Sequence, residues 1–577
     1  MPTRPSHTRA LIWLIGVPLV VTAAFWVWAA LWTPFPVVGR LPDDGFVRLG
    51  GALHVHTTVS DGAGTPEQVI SAAREVGLDF LVLTDHNRMG PGPLAKREQG
   101  LLVLQGTEIS NHTGHLLGLG IRRPTFRYSG EARDALSDVR HLGGTAFVAH
   151  PMSPRHDLAW TSWELAGPWG LEIINGDSLW RQASWLRLLA VAAAYPANSP
   201  YALLTGLPPS RTALERWDDL LRDRDVPGVA GLDAHGRLFP EHEAVAQIPS
   251  YADSFRVLRN YVLVTSHGGD DPQQDADAVI SALARGRSYM AVEALAPADG
   301  FYFHAARGGQ RWQMGQTAPP SEELMLQAGG RLPRNAELAL LRNGHVVATA
   351  TDALEASAAL PGSYRVEVRA PGWSTPWIVS NPIYVFDENQ SAARAARAEW
   401  PGPTPAPVPT LILDDFEGAS SRFALEFDET SAMNEDPSDG AGRDGGDAAR
   451  LEFRLGDPGP EKQNVWCALV DRTHRDLSGQ RGLVFDIRGD GTYRIWIAVW
   501  EEKPGADDVV DWWLASARTS PDWQRVAVPF EHLYPVETNA DRELDLSRVR
   551  GLAFNIDPGV MAPGSAGTIW IDNLGAY

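Results

Sequence analysis

Residues 51–64 read GALHVHTTVSDGAG. His54 and His56 flank a single residue and Asp61 follows five positions later, so three groups able to bind a metal fall within eight positions. Farther along come His86 in LTDHN, Glu108 in GTEIS, His115 in GHLLGLG, His150 in VAHP, and Asp233 with His235 in GLDAHG, which brings the set to nine nitrogen or oxygen donors. Residues two apart on a strand project to one side, so His54 and His56 form one pair, and Asp233 and His235 repeat its geometry. Imidazole and carboxylate without thiolate suit zinc, manganese or iron(II). Divalent ions gathered by such donors polarise an ester or phosphoryl oxygen and lower the pKa of a water toward ~7, so hydrolysis needs no serine, cysteine or lysine nucleophile. No G-x-S-x-G elbow and no Walker loop occurs in the sequence. The catalytic candidates are Asp233, with His235 or His86 as proton donor to a leaving group. Asn87, Arg88, Asn175 and Arg237 stand beside these motifs as candidate substrate-binding residues, the arginines for an anion.

The elements that must carry these donors alternate. LDFLVLTDH (78–86), GGTAFVAHP (143–151), GLEIING (170–176) and VPGVAGLDAHG (226–236) read as buried strands, most of them preceded by helical stretches such as TPEQVISAAREVG (65–77). This βα rhythm predicts parallel strands in an α/β barrel over residues 45–300, with the donors at the strand ends. After residue 300 the pattern changes to period two. ELALLRNGHVVATA, with its Asn343-Gly344 hairpin signal, and GSYRVEVRAP point to a small β-sandwich over 301–387. A Pro-rich linker is expected over 388–410, and an all-β module over 411–577.

HVHTTVSDG, LTDHN, GTEIS with GHLLGLG, VAHP and GLDAHG together resemble the PHP (polymerase and histidinol phosphatase) superfamily. The resemblance implies a distorted (β/α)7 TIM-like barrel holding two or three divalent ions: manganese, zinc or iron. It implies one ion on His54, His56, Glu108 and Asp233. A second would be bridged by Glu108 and held by His115 and His150, and a third would sit on Asp61, His86 and His235. GRSYMAVEA (286–294) followed by WIVSNPIYV (377–385) resembles an exported branch that includes carbaryl hydrolases, which adds carbamate and carboxyl esters to the phosphoesters typical of the superfamily.

In the last module, ILDDFEG, DLSGQRGLVFDIRGDG, WQRVAVPF and IWIDNLGAY resemble galactose-binding-like jelly rolls, with family 11 carbohydrate-binding modules the nearest comparison. Trp496, Trp500, Trp512 and Trp513 are then candidates for stacking on sugar rings; the alternative is that they form core. Eleven acidic residues between 414 and 447 could bind calcium or simply be solvated.

A net charge of −21 disfavours nucleic acid as a general partner, and the single cysteine, Cys467, rules out an intramolecular disulfide. Residues 10–32 carry no charge; as a helix they would span about 34 Å, enough for a bilayer core of about 30 Å. Arg4 and Arg9 before this run predict a single-pass anchor over 1–40 in a bacterial cytoplasmic membrane, with the bulk of the chain on the periplasmic or extracellular side; a cleaved signal peptide is the alternative. The expectation is a membrane-anchored, exported phosphoesterase acting on a small-molecule or glycan-linked ester, with an envelope polysaccharide as a further partner. The competing readings are a carbamate or carboxyl esterase and a non-catalytic, metal-stabilised glycan-binding protein.

Overall fold

Short apolar runs between residues 47 and 291 become strands because they are buried on both faces. The structure, a computed structural model, describes residues 20, 22–90, 92–123, 126–208, 211–237, 247–399, 406–417, 421–435, 442–457, 465–502, 510–536 and 543–577. The chain divides into two units, one of residues 1–122 and 139–400 and the other of 123–138 and 401–577.

The first unit opens with β1 (Val47–Ala52) and α1 (Pro66–Glu75), whose start is fixed by a capping box between Thr65 and Gln68. Then come β2 (Phe80–Leu83), β3 (Ala95–Glu98), β4 (Leu101–Gln105), β5 (Thr107–Asn111), β6 (Gly114–Leu119), β7 (Thr145–Ala149) and β8 (Gly170–Asn175). Helices α2 (Gly176–Arg181), α3 (Trp185–Ala194), α4 (Ser199–Gly206) and α5 (Thr212–Asp223) lead to β9 (Gly228–Gly231). The run closes with α6 (Tyr251–Phe255), β10 (Arg259–Val264) and β11 (Ser288–Ala291).

One sheet has the order β9-β8-β7-β6-β5; a larger one contains β11-β10-β1-β2-β4-β3. Parallel bridges at Val55–Ala234 and His86–Glu108 join the two sheets beyond the ends of β1, β9 and β2 and within β5. Leu53, Phe80, Val82, Leu104, Leu117, Phe147 and Val229, drawn from both sheets, share one buried apolar cluster. The strands are not all parallel, as the βα rhythm had suggested. β5–β6, β6–β7 and β10–β1 run antiparallel. The reason is local: only His112 and Thr113 separate β5 from β6, and so short a connection reverses the chain.

Strands from residues 301–385 continue this unit. Ile378–Ser380 pairs antiparallel with β11, so the β module shares a sheet with the strands before it. The Asn343-Gly344 turn joins Glu337–Arg342 to His345–Thr351, with Asn343 at φ +50° and Gly344 at +82°, the positive-φ pair this hairpin needs. Residues 388–398, read from the sequence as part of a linker, form a helix capped by Asp387, and Arg394 on it donates to Asp225 Oδ1 at 2.7 Å. Of the uncharged run at 10–32, residues 10–19 and 21 lie outside the described residues. Residues 22–31 are helical; Ala29 is fully buried, and Asn198 Nδ2 donates to the carbonyls of Ala29 and Trp32. Among the described residues no helix is long and apolar enough to cross a membrane.

Among the described residues, the second unit is a β-sandwich of two six-stranded sheets. Its core includes Phe453, Phe485, Trp496, Trp500, Phe554 and Ile571. Cys467 is buried in it and unpaired.

Arg365 in the first unit is buried with its charge. It donates to both oxygens of Asp218 at 2.7 Å and to Glu367 Oε1 at 2.9 Å, linking α5 to the strand Gly362–Arg369. Removing one partner of a buried pair strands the other charge, at a cost of about 3–5 kcal/mol. Arg365→Met should therefore destabilise the first unit by about that amount in denaturant unfolding; a loss below about 1 kcal/mol would put the network on the level of surface pairs.

Candidate metal centre

The strand ends build the site through their backbones. Leu232 N donates to Leu53 O, Ala234 N to His54 O and His56 N to Ala234 O, at 3.0–3.2 Å, which sets the His54-x-His56 pair beside Asp233-x-His235. Thr84 N donates to Val55 O, Glu108 N to Asp85 O and Asn87 N to Glu108 O, which brings His86 and Glu108 into the same ring. His115 pairs with Ser110 across the β5–β6 hairpin, two residues from Glu108, so both side chains share a face. His150 ends β7. Three donor residues hold positive φ: His54 at +60°, His150 at +29° and Asp233 at +53°. Such conformations cost of order 1–3 kcal/mol each and persist only where the surroundings impose them.

Glu108 is the centre. Its Oε1 lies 2.8 Å from His115 Nδ1 and 2.8 Å from His150 Nε2. Its Oε2 lies 3.1 Å from both His54 Nε2 and His56 Nε2 and 3.3 Å from His86 Nδ1. Asp233 Oδ1 sits 3.4 Å from His54 Nε2 and 3.5 Å from His56 Nε2. Asp61 Oδ2 lies 3.2 Å from His235 Nε2 and 3.8 Å from His86 Nε2. The His56 and His235 rings stack at 4.2 Å. Glu108 and His54 are buried, while Asp61 is 35% exposed and marks the open side.

Three overlapping groups could each hold an ion: His54, His56, Glu108 and Asp233; His56, Asp61, His86 and His235; and His86, Glu108 and His115. The first is the group that the family resemblance implied. The second adds His56 to the implied trio. In the third, His86 stands where His150 was implied, although His150 still contacts Glu108. The donor chemistry fits divalent ions. His54 Nε2, His56 Nε2, His86 Nδ1 and Glu108 Oε2 are all buried without a hydrogen-bond partner, which is costly unless a cation fills the space they face.

The electrostatics follow from this crowding. Burial opposes a charge on His54, yet Asp233, Glu108 and Glu172 raise its pKa well above the ordinary value. Burial likewise opposes a charge on His56, but the Asp233 and Glu108 carboxylates, 3.5 and 3.1 Å from its Nε2, lift it to about 9. Burial pushes His86 down to about 4 and keeps its ring neutral. Burial would raise Glu108 and Asp233, but the histidines, His54 foremost, hold both well below the carboxylate range.

The remaining candidates divide. Asn175 caps α2 and donates to Glu172 Oε2 at 2.8 Å, with Asp233 Oδ2 3.5 Å away. Asn87 is an exposed turn residue, at φ +52°, whose side chain is tied to Ser110. Arg88 is exposed and reaches Val59 O at 3.5 Å. Arg237 donates to Asp61 O. In the second unit, Trp466, Trp496, Trp500 and Trp512 line a cleft of ≈ 660 Å³ together with Glu426, Arg472 and Asp557. Trp500 and Trp512 pair across strands with ring centroids 4.8 Å apart. Trp513, next to Trp512 and therefore on the other face, is buried and donates to Glu501 Oε2. Residues 436–441 of the acidic stretch lie outside the described residues. The Asp428 carboxylate is occupied by Thr430, Ser431 and Trp466.

Two supporting carboxylates escaped the sequence reading. Glu172 Oε1 lies 2.9 Å from His54 Nδ1, and its Oε2 accepts from His150 N and Asn175 Nδ2. A Cβ on Gly231 would sit 1.4 Å from Glu172 Oε1, so only glycine leaves room for this carboxylate. Asp85 accepts from Thr57 and Ser60, fixing the loop that follows His56. The available signal was a lone glutamate in the apolar strand GLEIING.

Residues 52–135, the stretch that supplies His54 through His115, match the family model described as PHP domain. The chain contains a PHP domain. Residues 400–577 match the family 11 carbohydrate binding domain. Over 76 residues the chain is 41% identical to the 3',5'-nucleoside bisphosphate phosphatase of Chromobacterium violaceum, covering 12% of this chain and 27% of that protein. A 78-residue stretch is 40% identical to the 5'-3' exoribonuclease Rnm of Salmonella typhimurium, covering 12% and 27%. The chain thus spans less than a third of the length of these two enzymes. The family 11 carbohydrate-binding module of Clostridium thermocellum, solved with a β-1,3-1,4-mixed-linked tetrasaccharide, is 18% identical over 30% of this chain and 96% of its own, at a TM-score of 0.25.

Groups that orient a ligating histidine are worth about ten- to a hundredfold in metal affinity. Glu172→Gln, which removes the charge behind His54, should weaken Mn²⁺ binding by about that factor in competition with a chromogenic chelator. An unchanged affinity would mean that His54 is oriented without this carboxylate.

Proposed function

We propose that this PHP domain is a metal-dependent phosphoesterase. The observation that carries the reading is the Glu108 carboxylate, shared by two of three overlapping donor groups whose open side is lined by Asp61, His86 and His235. Divalent ions held there would neutralise phosphoryl oxygens and lower the pKa of a water toward ~7. His54, His56, Glu108 and Asp233 form the buried end of the site, with His115 and His150 fixed on Glu108. His235, beside both Asp61 and Asp233, takes the role of proton donor to the leaving group. His86, kept neutral by burial, serves as a ligand. Arg237, held against the Asp61 backbone, supplies positive charge for an anionic substrate. The relatives named as a bisphosphate phosphatase and an exoribonuclease support a phosphoester over a carbamate or carboxyl ester.

The second unit is proposed to bind a glycan in the cleft of Trp466, Trp496, Trp500 and Trp512, which the family 11 match supports. The uncharged run at 10–32 supports anchorage in a bacterial cytoplasmic membrane with both units outside the cytoplasm.

Two experiments test these assignments. The Mn²⁺-loaded chain should hydrolyse bis-p-nitrophenyl phosphate or p-nitrophenyl phosphate, and Asp233→Ala should lose at least about a thousandfold in kcat/KM, the scale of a displaced metal. Turnover confined to p-nitrophenyl acetate or a naphthyl carbamate would assign an esterase instead. For the second unit, retardation of the chain in gels containing mixed-linkage β-glucan should fall about tenfold or more on Trp512→Ala, the scale of one lost aromatic platform. Retardation by no polysaccharide tried would leave the cleft a packing feature.

A further inference from the structure

Beside the metal centre lies a cavity of ≈ 500 Å³, and Asp233, His235 and Arg237 form one of its walls. Its other walls are mostly apolar: Trp180, Leu188, Val191 and Leu203 from the helices α2, α3 and α4, with Val257 and Leu258 beyond α6. The volume falls within the roughly 300–1,000 Å³ of sites that bury small ligands. Phosphate itself gains nothing from such walls. They match what is esterified to it.

The helix that roofs the cavity is apolar on its outside as well. Trp185, Leu186 and Leu189 are 68%, 61% and 58% exposed, and Trp185 and Leu189 lie three residues from Leu188 and Ala192, which line the interior. Ile248, another lining residue, is 44% exposed. An apolar rim continuous with an apolar interior suits a ligand that brings an alkyl chain from an aggregated state.

We infer that the substrate is an amphiphile: a phosphoester whose alkyl chain fills this cavity while its phosphoryl group meets Asp233, His235 and Arg237. This rests on the phosphoesterase reading and narrows it to one substrate class.

The test uses the full chain loaded with Mn²⁺ and two measurements. Calorimetry compares methylphosphonate, octylphosphonate and 1-naphthylmethylphosphonate, which bind without being cleaved. Turnover compares methyl and octyl p-nitrophenyl phosphate. Octylphosphonate should bind at least about a hundredfold more tightly than methylphosphonate, well within the roughly fourfold per methylene that full burial provides. Octyl p-nitrophenyl phosphate should exceed the methyl ester in kcat/KM by a similar factor. Leu203→Trp, which fills the interior, and Leu188→Glu, which charges a half-buried wall position, should each bring both ratios below about ten. Equal binding of the octyl and methyl compounds, with the methyl ester still cleaved, would overturn the amphiphile and leave the phosphoesterase standing. Tighter binding of the naphthyl compound than the octyl one would overturn the alkyl-chain assignment. If neither ester were cleaved, the phosphoesterase reading would fall, and this inference with it.

Discussion

A single buried carboxylate organises the first unit. Glu108 lies at the meeting point of five imidazoles, His54, His56, His86, His115 and His150. Such an anion is tolerated in an apolar interior only if positive charge or donors surround it, and here they come from the ends of β1, β2 and β7 and from β6. The strand order, the two bridges between the sheets and the turn between β5 and β6 are all needed to bring those ends together. Even the unfavourable backbone angles of His54, His150 and Asp233 make sense in this light, because each turns a side chain inward where the strand stops.

The supporting layer is as specific as the ligands. Glu172 reaches His54 and His150 only because position 231 is glycine, and Asp85 fixes the loop between His56 and Asp61 with four hydrogen bonds. The apolar cavity shares Asp233 and His235 with the metal centre. One pair of residues therefore borders both the candidate metal centre and the apolar cavity.

Much of the centre was legible because strand geometry has period two. The spacings His54-x-His56 and Asp233-x-His235 state which side chains share a face, and the structure sets the two pairs side by side. The same rule separates Trp512 from Trp513, a distinction not drawn from the sequence although adjacent residues on a strand must face opposite ways. Glu172 was passed over because a single acidic residue in an apolar strand carries no spacing signal; its meaning lies in its contacts with His54, 118 positions away, and His150, 22 positions away. The antiparallel β5–β6 hairpin was hidden because GTEIS and GHLLGLG read as separate ligand motifs, whereas the two residues between the strands decide their direction. Residues 388–398 were folded into the proline-rich stretch that follows them, yet they contain no proline and carry the Asp387–Gln390 cap.

The bond from Tyr251 Oη to the carbonyl of His56 spans 195 positions, and the contact of His54 with Glu172 spans 118. Contacts this distant in sequence form late, because the intervening chain must be ordered first. During synthesis the His54–His56 pair therefore leaves the ribosome long before the residues that enclose it exist. An ion captured at that stage would meet two imidazoles and the Asp61 carboxylate, a set that discriminates among metals by availability and intrinsic affinity. The completed ring imposes geometry only afterwards. For the proposed metal centre, which ion is held would thus be a matter of when and where the chain closes as well as of the donor side chains.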